Sequence, residues 1–186
     1  MSLLRPERRE MRSVLMQAGR EILAQEGIAG LGLRAVTRRV GVSPTAAYRY
    51  FADREHLLAA IATSGVWELT AELEAADRSA ADPLRAQGVA YVRFATGNAA
   101  LYRLIFGPER LVHYPDLENA LAAAYGVLAA RVAKTVPRGT AADKSLACWC
   151  LMHGLASLAI DSRLPPDSDT PEALAARLAM ALLSHD

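Results

Sequence analysis

The chain has 186 residues, of which 52% are hydrophobic, so it carries enough apolar material for a substantial core. Its longest apolar stretch, residues 146–160, is too short to span a bilayer. The net charge of +1 hides an asymmetry: residues 1–56 hold ten Arg and no Lys against six Asp and Glu, a charge of +4, and the remainder carries −3. A basic first third of the chain suits contact with phosphate.

The sequence predicts helix after helix, because no segment shows the period-two alternation of a β-strand. Glycines 27 and 41 end the first two helices, Ser43 and Pro44 begin the third, and Asp53 caps the fourth. Nine helices are predicted, at about residues 6–26, 33–40, 43–51, 53–77, 82–97, 98–106, 117–134, 140–161 and 171–184. The first is expected to bury a stripe of Val14, Ala18, Ile22 and Leu23.

The most informative segment is residues 33–54, two short helices joined by a tight turn at Gly41. In the third helix, Ala47 and Phe51 can face the interior while polar and aromatic residues stay outside. Two tyrosines on a small exposed helix indicate a binding surface. Tyrosine hydroxyls bind phosphates, and an arginine pairs with guanine, so we interpret the segment as a DNA-reading helix-turn-helix. The candidate contacts are Arg34, Ser43, Thr45, Tyr48, Arg49, Tyr50 and Arg54, with Arg38 and Arg39 as further phosphate ligands.

Residues 13–60 resemble the N-terminal domain of the tetracycline-repressor-type (TetR) family of bacterial transcription regulators. The resemblance rests on AGREILAQEGIAGLGLRAV and on VGVSPTAAYRYFADREHLL, which contains GVS-x-x-x-x-Y-x-x-F followed by a basic residue and Leu-Leu. It implies that the candidate residues of the third helix lie at the DNA. The chain departs from the family in three places: Gly32 replaces a hydroxyl that caps the second helix and binds phosphate, Thr37 replaces a small apolar residue, and Arg54 replaces Lys.

The resemblance implies a fold that is all-α, with a helix-turn-helix domain at residues 1–52 and a helical bundle at 53–186. Within the bundle, the runs Asn-Ala-Ala-Leu-Tyr-Arg-Leu-Ile-Phe and Trp-Cys-Leu-Met-His-Gly-Leu-Ala-Ser-Leu resemble the C-terminal type marked by a Trp-His-Gly (WHG) signature, which implies an effector pocket. Aromatic residues in a bundle are also ordinary core residues, so both readings stay open for each of them. The pocket candidates are Trp67, Tyr91, Phe94, Tyr102, Phe106, Tyr125, Trp149 and His153.

The last two long helices are rich in small and apolar residues, which favours a four-helix dimer interface built from two helices of each subunit. The alternative is that these faces pack within the subunit. Gly154 weakens its helix by roughly 1 kcal/mol, which suits a close helix approach. The interface candidates are Leu155, Ala156, Ile160, Leu174, Leu178 and Leu182.

Other chemistry finds little support in the sequence. Cys148 and Cys150 would project in opposite directions from a helix, which argues against a disulfide between them. Cys150 and His153 share a helix face but lack further ligands, so we expect no metal. No nucleotide-binding loop or hydrolase motif is present, and we expect neither an enzyme nor a cofactor. The charged start of the chain predicts no secretory signal and a cytoplasmic location.

We therefore predict a homodimeric regulator, most simply a repressor, that places its third helix in the major groove of double-stranded DNA. Two half-sites of a near-palindrome would lie roughly 34–36 Å apart. An unknown small-molecule effector would favour a dimer whose reading helices no longer match that spacing. Two alternatives stay open: a constitutive DNA-binding protein without effector, and a small-molecule-binding helical protein or enzyme that has lost DNA binding.

Overall fold

The computed structural model describes residues 5–107, 111 and 113–181, except for the side chains of residues 5–9, 79, 138 and 180. Over these residues the chain is helical and contains no strand, which confirms the all-α prediction. Within the same residues, none of the helices combines the length and the apolar character needed to cross a membrane.

The first helix, α1 (Arg5–Gly30), breaks at Gly27, where φ is 71°. That left-handed conformation is open to glycine without a steric cost, and it confirms the predicted stop. The buried face of α1 consists of Leu15, Ala18, Ile22 and Leu23. The prediction for Val14 was wrong, because Val14 is 46% exposed and Leu15 takes its place one residue along the helical repeat.

Short elements follow: α2 (Leu33–Val40) and α3 (Pro44–Ala47). The predicted third helix extends to about residue 51, whereas the regular helix ends at Ala47 and continues as a turn. The amide N–H groups of Tyr50 and Phe51 both donate to the Ala47 carbonyl, at 2.9 and 3.0 Å, so the turn prolongs the helical path to Phe51.

The longer helices lie close to their predicted bounds, which are set by local stop and start signals. Asp82 shows the pattern, since its side chain accepts a hydrogen bond from the Arg85 amide at the start of the fifth helix. The elements are α4 (Arg54–Ser79), α5 (Pro83–Gly97), α6 (Ala99–Phe106), α7 (Pro115–Thr135), a 3-10 turn (Arg138–Thr140), α8 (Ala141–Ile160) and α9 (Pro171–Ala181).

The chain divides into two compact units. The first unit comprises the described residues up to Gly65 together with those of Ala100–Leu117, and the second comprises Val66–Ala99 and the described residues from Glu118 onward. This division differs from the predicted boundary at residues 52 and 53, because the first half of α4 packs within the first unit. A side chain added at Gly19 on α1 would come within 2.6 Å of Ile61, and one at Gly65 within 2.7 Å of Leu101.

The second unit packs α5 against α8 and α9. Gly88 on α5 permits this approach, since an added Cβ would lie 3.1 Å from the Met152 sulfur and 3.4 Å from the Ala179 Cβ. A cluster of buried side chains lies in this unit, where Leu84 packs with Val132, Val136 and Cys148. The second unit therefore has a core of its own.

Candidate nucleic-acid interface and ligand cavity

The turn between α2 and α3 has the hydrogen bonds of a Schellman motif. Gly41 adopts φ 74°, its amide donates to the Arg38 carbonyl at 3.4 Å, and the Val42 amide donates to the Thr37 carbonyl at 3.0 Å. The Thr37 side chain is buried, and its hydroxyl donates to the carbonyls of Leu33 and Arg34 at 3.0 and 3.1 Å. The hydroxyl is therefore satisfied inside α2 and is not available to DNA.

Helix α3 is anchored by Ala47 and Phe51, which are 0% and 3% exposed. Ser43 has the extended backbone of an N-cap, with Pro44 at the first helical position as predicted. The Ser43 hydroxyl, however, makes no capping hydrogen bond to α3. It lies on the exposed side of the turn, so an external acceptor or donor can reach it.

Opposite this anchor, the predicted contact residues form a surface. Thr45, Tyr48 and Arg49 are exposed, with Tyr48 at 56%, and Tyr50 is half-buried. Arg34 is exposed on α2. These five side chains together with Ser43 are called the α2–α3 surface below. It offers hydroxyls, a guanidinium and an aromatic face, the groups that bind phosphates and base edges.

Arg54 lies at the start of α4, as predicted, and its guanidinium makes internal hydrogen bonds. Its Nε donates to the Leu31 carbonyl at 2.8 Å and its Nη2 donates to the Ile28 carbonyl at 2.7 Å. The Ile28 carbonyl also accepts from the Leu31 amide at 3.2 Å, so the planar guanidinium fork of Arg54 adds a second donor there and ties Ile28 to Leu31. Arg54 therefore fixes the end of α1 relative to the start of α4, which positions α2 and α3 between them.

Two further arginines of the first unit make internal contacts. Arg39 donates to Gln25 at 2.8 Å and lies 3.6 and 3.8 Å from the carboxylates of Glu21 and Glu26. Arg12 lies over the Phe51 ring, with its guanidinium carbon 5.3 Å from the ring centroid. Both guanidinium groups stabilise the packing of α1, and Arg39 is less available to phosphate than predicted.

Asp53 caps α4 as predicted, since its carboxylate accepts from the His56 amide at 2.8 Å. The same oxygen lies 2.7 Å from His56 Nδ1, and these hydrogen bonds lower the pKa of Asp53 below its usual value. His56 also packs edge-on against Tyr114, with ring centroids 5.4 Å apart. Burial, together with the negative charges of Asp53 and Glu55, raises the pKa of Tyr114.

The second unit encloses a cavity of about 40 Å³. Its accessible surface is apolar, although the polar residue Gln87 is among those that line it. Two of the predicted pocket residues, Tyr91 and Trp149, line it, and Tyr125 packs against Trp149 from outside with ring centroids 5.5 Å apart. The lining consists of Leu73, Leu84, Gln87, Gly88, Tyr91, Ala124, Leu128, Cys148, Trp149, Met152 and Ala179.

His153 supports the cavity wall from behind. Its Nδ1 lies 2.9 Å from the Tyr91 hydroxyl, and its ring stacks on Trp149 with centroids 6.2 Å apart. Burial lowers the pKa of His153, which favours the neutral ring. His153 therefore holds Tyr91 and Trp149 in place, although it does not line the cavity itself.

The other predicted pocket residues lie elsewhere. Trp67 is 49% exposed on α4 and Phe94 is a buried core residue of α5, and neither lines the cavity. Tyr102 and Phe106 pack against each other in the first unit, with ring centroids 5.0 Å apart. A helical repeat identifies an aromatic residue as buried but does not say on which side of the helix a cavity lies.

A polar network that was not predicted from the sequence lies beside the cavity and consists of Gln87, Asp77 and Arg131. Arg131 donates to Asp77 through Nε at 2.6 Å and through Nη2 at 2.8 Å, and Gln87 Nε2 donates to Asp77 Oδ1 at 2.7 Å. The hydrogen bonds that Asp77 accepts from Arg131 lower the pKa of Asp77 and raise the pKa of Arg131. The residues lie 10 and 54 positions apart, so no local motif reveals them.

The structure buries half of the predicted dimer residues inside the second unit. Leu155, Ala156 and Leu174 are 6%, 0% and 9% exposed, and Ile160 and Leu178 are intermediate. Leu182 lies outside the described residues. The exposed face of α8 instead carries Leu146, Cys150, Gly154 and Leu158, one residue per helical turn, with the two leucines 54% and 45% exposed. Because α8 is apolar on both faces, hydrophobicity alone did not distinguish the residues packed within the second unit from those on the exposed face.

The cysteines differ in environment. Cys148 lines the cavity, and burial raises the pKa of its thiol, whereas Cys150 is exposed. Both are free thiols. Among the residues that the structure describes, no group of three or more His, Cys, Asp and Glu side chains is arranged to hold a metal ion.

Two family models match the chain. Residues 15–61 match the model "Bacterial regulatory proteins, tetR family", and residues 84–182, just over half of the chain, match "Tetracyclin repressor-like, C-terminal domain". HTH-type transcriptional regulator Rv1816 of Mycobacterium tuberculosis and HTH-type transcriptional regulator Mb1846 of Mycobacterium bovis are each 30% identical to it over 122 residues, 62% of this chain and 52% of theirs. The chain thus spans about half the length of these curated relatives.

Solved structures share the fold. A protein of unknown function from Rhodococcus sp. RHA1 is 28% identical, with a TM-score of 0.83 over 92% of this chain and 93% of that one. The TetR family transcriptional regulator PfmR of Thermus thermophilus is 18% identical, with a TM-score of 0.67 over 91% of this chain and 96% of that one. At that identity the second likeness concerns the fold alone.

Proposed function

The chain belongs to the TetR family of bacterial regulatory proteins, and from this premise we propose that it is a homodimeric transcriptional repressor that a small molecule releases from its operator. Its family and its named relatives are regulators, not enzymes. The observation that carries the proposal is the α2–α3 surface, in which Tyr48 and Arg49 are exposed beside the sealed anchor of Ala47 and Phe51.

The chemistry of this surface suits the major groove. Arg49 has the donor geometry for guanine O6 and N7, a pairing worth about 1–3 kcal/mol of base discrimination. Tyr48 presents a hydroxyl for phosphate and a ring for a thymine methyl group. The hydroxyls of Ser43 and Thr45 add donors at the start of α3, where the helix enters the groove. Arg34 on α2 supplies a phosphate contact.

The exposed face of α8 supports the proposed homodimer. Leu146, Cys150, Gly154 and Leu158 recur every four residues, so they form one continuous stripe of small and apolar side chains. An added Cβ at Gly154 would meet nothing within 4 Å, which leaves room for a partner helix to approach. Such a stripe is self-complementary across a two-fold axis, as a symmetric dimer requires. We propose this stripe as the dimer face in place of Leu155, Ala156 and Leu174.

The cavity and α4 support the proposed release by an effector. The cavity lies within the second unit, and α4 contributes Leu73 to its lining. The same helix begins in the first unit, where Leu57, Leu58 and Ile61 are buried. A ligand that shifts α4 would therefore alter the spacing of the two α3 helices of a dimer. A coupling of about 1–3 kcal/mol changes occupancy roughly 5- to 150-fold.

Selection of bound DNA from a random pool tests the operator part of this proposal. The 186-residue chain is incubated with the pool at low salt, because phosphate contacts weaken as salt rises. We expect a near-palindrome whose half-sites are centred about one helical turn or slightly more apart. Failure to enrich any sequence, with retention of a folded protein by circular dichroism, would refute the proposal.

Cross-linking at Cys150 tests the dimer face. A short bifunctional thiol reagent should join two wild-type chains through Cys150, because the stripe brings the two thiols near the dyad while Cys148 is buried. Cys150→Ser is the matched control and should give no cross-link. Leu158→Arg should yield monomers in sedimentation. Wild type that sediments as a monomer at every concentration would contradict the proposed face.

A further inference from the structure

We propose that the first unit has a ligand site of its own, a surface cleft that binds a small organic cation with an aromatic ring. The cleft has a volume of about 500 Å³, and both polar and apolar groups reach its surface. Its walls come from α1, from the end of the path of α3, from the first turns of α4 and from residues 113–116, all of which lie in the first unit. Ligand pockets of this size accommodate ring-sized molecules.

Aromatic rings dominate the cleft. Phe51 is 3% exposed and lies at its base, and the half-buried Tyr50 and Tyr114 line its sides. His56 joins them, edge-on to Tyr114 with ring centroids 5.4 Å apart. Only 6% of the residues of the chain are Phe, Trp or Tyr, so three of them beside a histidine in one cleft make an unusual concentration. The faces of such rings carry a negative potential and attract cations.

The structure already holds one cation on these rings. The guanidinium carbon of Arg12 lies 5.3 Å from the centroid of the Phe51 ring, and Arg12 lines the cleft. Its Nη1 also lies 3.2 Å from the sulfur of Met16, which is a weak acceptor. Because Arg12 is exposed, its guanidinium can return to water and leave the Phe51 ring to a ligand of the same charge.

The charges around the rings favour a cation over an anion. Asp116 lines the cleft and is exposed. Burial and then the negative charges of Asp53 and Glu55 raise the pKa of Tyr114, so both carboxylates act on the same side of the cleft. The hydrogen bonds that Asp53 accepts at the start of α4 lower its pKa and keep it ionised. A cation on these rings therefore has counter-charges nearby, whereas an anion is repelled.

The cleft adjoins the proposed DNA-reading groups. Tyr50 belongs to both the cleft and the α2–α3 surface, and Phe51 anchors α3. A cation bound in the cleft contacts Tyr50 and should therefore compete with the operator for that side chain. This competition rests on the proposed function, whereas the binding of the cation does not.

Three probes of one shape test the charge preference: benzylammonium, benzyl alcohol and benzoate share a ring and are positive, neutral and negative. Each is titrated into the 186-residue chain and followed by NMR. Wild type should bind benzylammonium about tenfold more tightly than benzyl alcohol and benzoate most weakly. The amide signals that shift should include those of residues 50–60 and 113–116. Equal affinity for the three probes, tightest binding of benzoate, shifts confined to other residues or no binding of any probe would each overturn the site.

Arg12→Gln gives the sharpest test of the ligand charge. It removes the guanidinium that competes for the Phe51 ring, so the affinity for benzylammonium should rise roughly threefold. A site for anions would respond in the opposite direction, because Arg12 would then be the group that binds the ligand. A fall in benzylammonium affinity together with loss of benzoate binding would refute the cation assignment.

Asp116 and Tyr114 test the two parts of the recognition separately. Asp116→Asn should weaken benzylammonium about two- to fivefold and leave benzyl alcohol unchanged. Glu118→Gln is the matched control, because Glu118 is an exposed carboxylate two residues further along α7 that does not line the cleft. Tyr114→Leu keeps apolar bulk and removes the ring, so the preference for benzylammonium over benzyl alcohol should shrink. Equal effects of Asp116→Asn and Glu118→Gln, or an unchanged preference in a folded Tyr114→Leu, would contradict the site.

Operator binding is recorded by fluorescence anisotropy with the selected DNA. Ammonium chloride at the same concentration is the control, since any added salt weakens phosphate contacts. Benzylammonium should weaken operator binding more than ammonium does. If it binds as expected but weakens the operator no further than ammonium, the competition is wrong and the site stands. If wild type never binds DNA, the proposed function fails, and the NMR titrations decide the cation site independently.

Discussion

The two units differ in where their candidate functional groups lie, which is on the exterior of the first unit and in the interior of the second. In the first unit Tyr48 and Arg49 are exposed, and the internal contacts of the unit serve to hold them out. In the second unit the candidates face the interior: Tyr91 is 6% exposed and lines the cavity together with Trp149, which is half-buried. A unit that binds through its surface can lose an exposed side chain without losing its core. A cavity is lined by core residues, so a substitution there changes both ligand binding and the stability of the unit.

The largest expected effect is on the exposed side of this comparison. Replacing Tyr48 and Arg49 together with Ala should reduce operator affinity at least about 100-fold, because each residue offers a contact worth roughly 1–3 kcal/mol and a dimer uses two copies. The free energy of unfolding should change by less than about 1 kcal/mol, since both residues are exposed. Fluorescence anisotropy and urea unfolding measure the two quantities.

Trp67→Ala is the matched control, because Trp67 is a similarly exposed aromatic residue of the second unit, at 49% against 56% for Tyr48. It should leave operator affinity within about twofold. If the double variant binds the operator as wild type does, the α2–α3 surface is not the reading surface.

Arg54 gives the next largest effect and decides between two roles for one guanidinium. In the structure it bridges the Leu31 and Ile28 carbonyls, and hydrogen bonds from a charged donor contribute about 1.5–3 kcal/mol. Arg54→Ala should therefore lower the free energy of unfolding by roughly that amount. Arg54→Lys should fail to restore it, because a single ammonium cannot reproduce the planar fork.

A phosphate contact, the role predicted from the sequence, would behave otherwise, because lysine supplies the same charge. The internal role would be contradicted if Arg54→Ala kept wild-type stability but bound the operator more weakly, and if Arg54→Lys recovered binding. That result would assign Arg54 to the DNA.

The two roles of Arg54 show what sequence reasoning reaches in this chain. The helix bounds were predictable because their signals are local: a left-handed glycine at 27 and 41, a proline at 44, and capping aspartates at 53 and 82. The inward position of Ala47 and Phe51 was also predictable from the helical repeat. The partners of Arg54 lie 23 and 26 residues away along the chain, and no repeat encodes them.

The second unit resisted prediction for the same physical reason. Gln87 looks like an ordinary polar residue of α5 until α4 and α7 bring Asp77 and Arg131 to it. Helix α8 has apolar side chains all round, so the choice between core and dimer face depends on which side meets α5 and α9. Among the aromatic pocket candidates Tyr91, Phe94 and Tyr102 are buried, whereas Trp67 is exposed. Only the packing of the helices places Tyr91 beside the cavity and Phe94 away from it.

The carboxylates of Asp77 and Asp53, one in each unit, predict how the stability of the protein depends on pH. The pKa of Asp77 is lowered first by the Arg131 hydrogen bonds and that of Asp53 by His56, so in each case the folded state favours the ionised form. Both contributions are present above the unfolded pKa of about 3.8 and are lost as the pH falls through the lower folded value. Stability of the wild type should therefore fall between about pH 5 and pH 3.

Asp77→Asn should flatten this profile more than Asp53→Asn, because the side chain of Asp77 is 24% exposed and that of Asp53 is 51% exposed. Urea unfolding at several pH values measures both. If both variants flattened the pH dependence of stability equally, or if either made it steeper, Asp77 would not make the larger contribution to that dependence.

The smallest expected effect compares two glycines that flank α2. Gly32 is the N-cap with φ −166°, an extended conformation open to any residue, and an added Cβ would meet nothing within 4 Å. Gly32→Ser should therefore stabilise the protein by a few tenths of a kcal/mol through a new capping hydrogen bond, and its hydroxyl should raise operator affinity slightly. Gly41→Ser is the matched change at the other end, where φ is 74°, and should destabilise by roughly 1–2 kcal/mol. Thermal unfolding should show stability changes of opposite sign in the two variants. That result would show that α2 lacks only a hydroxyl at its start, whereas its end depends on the glycine itself.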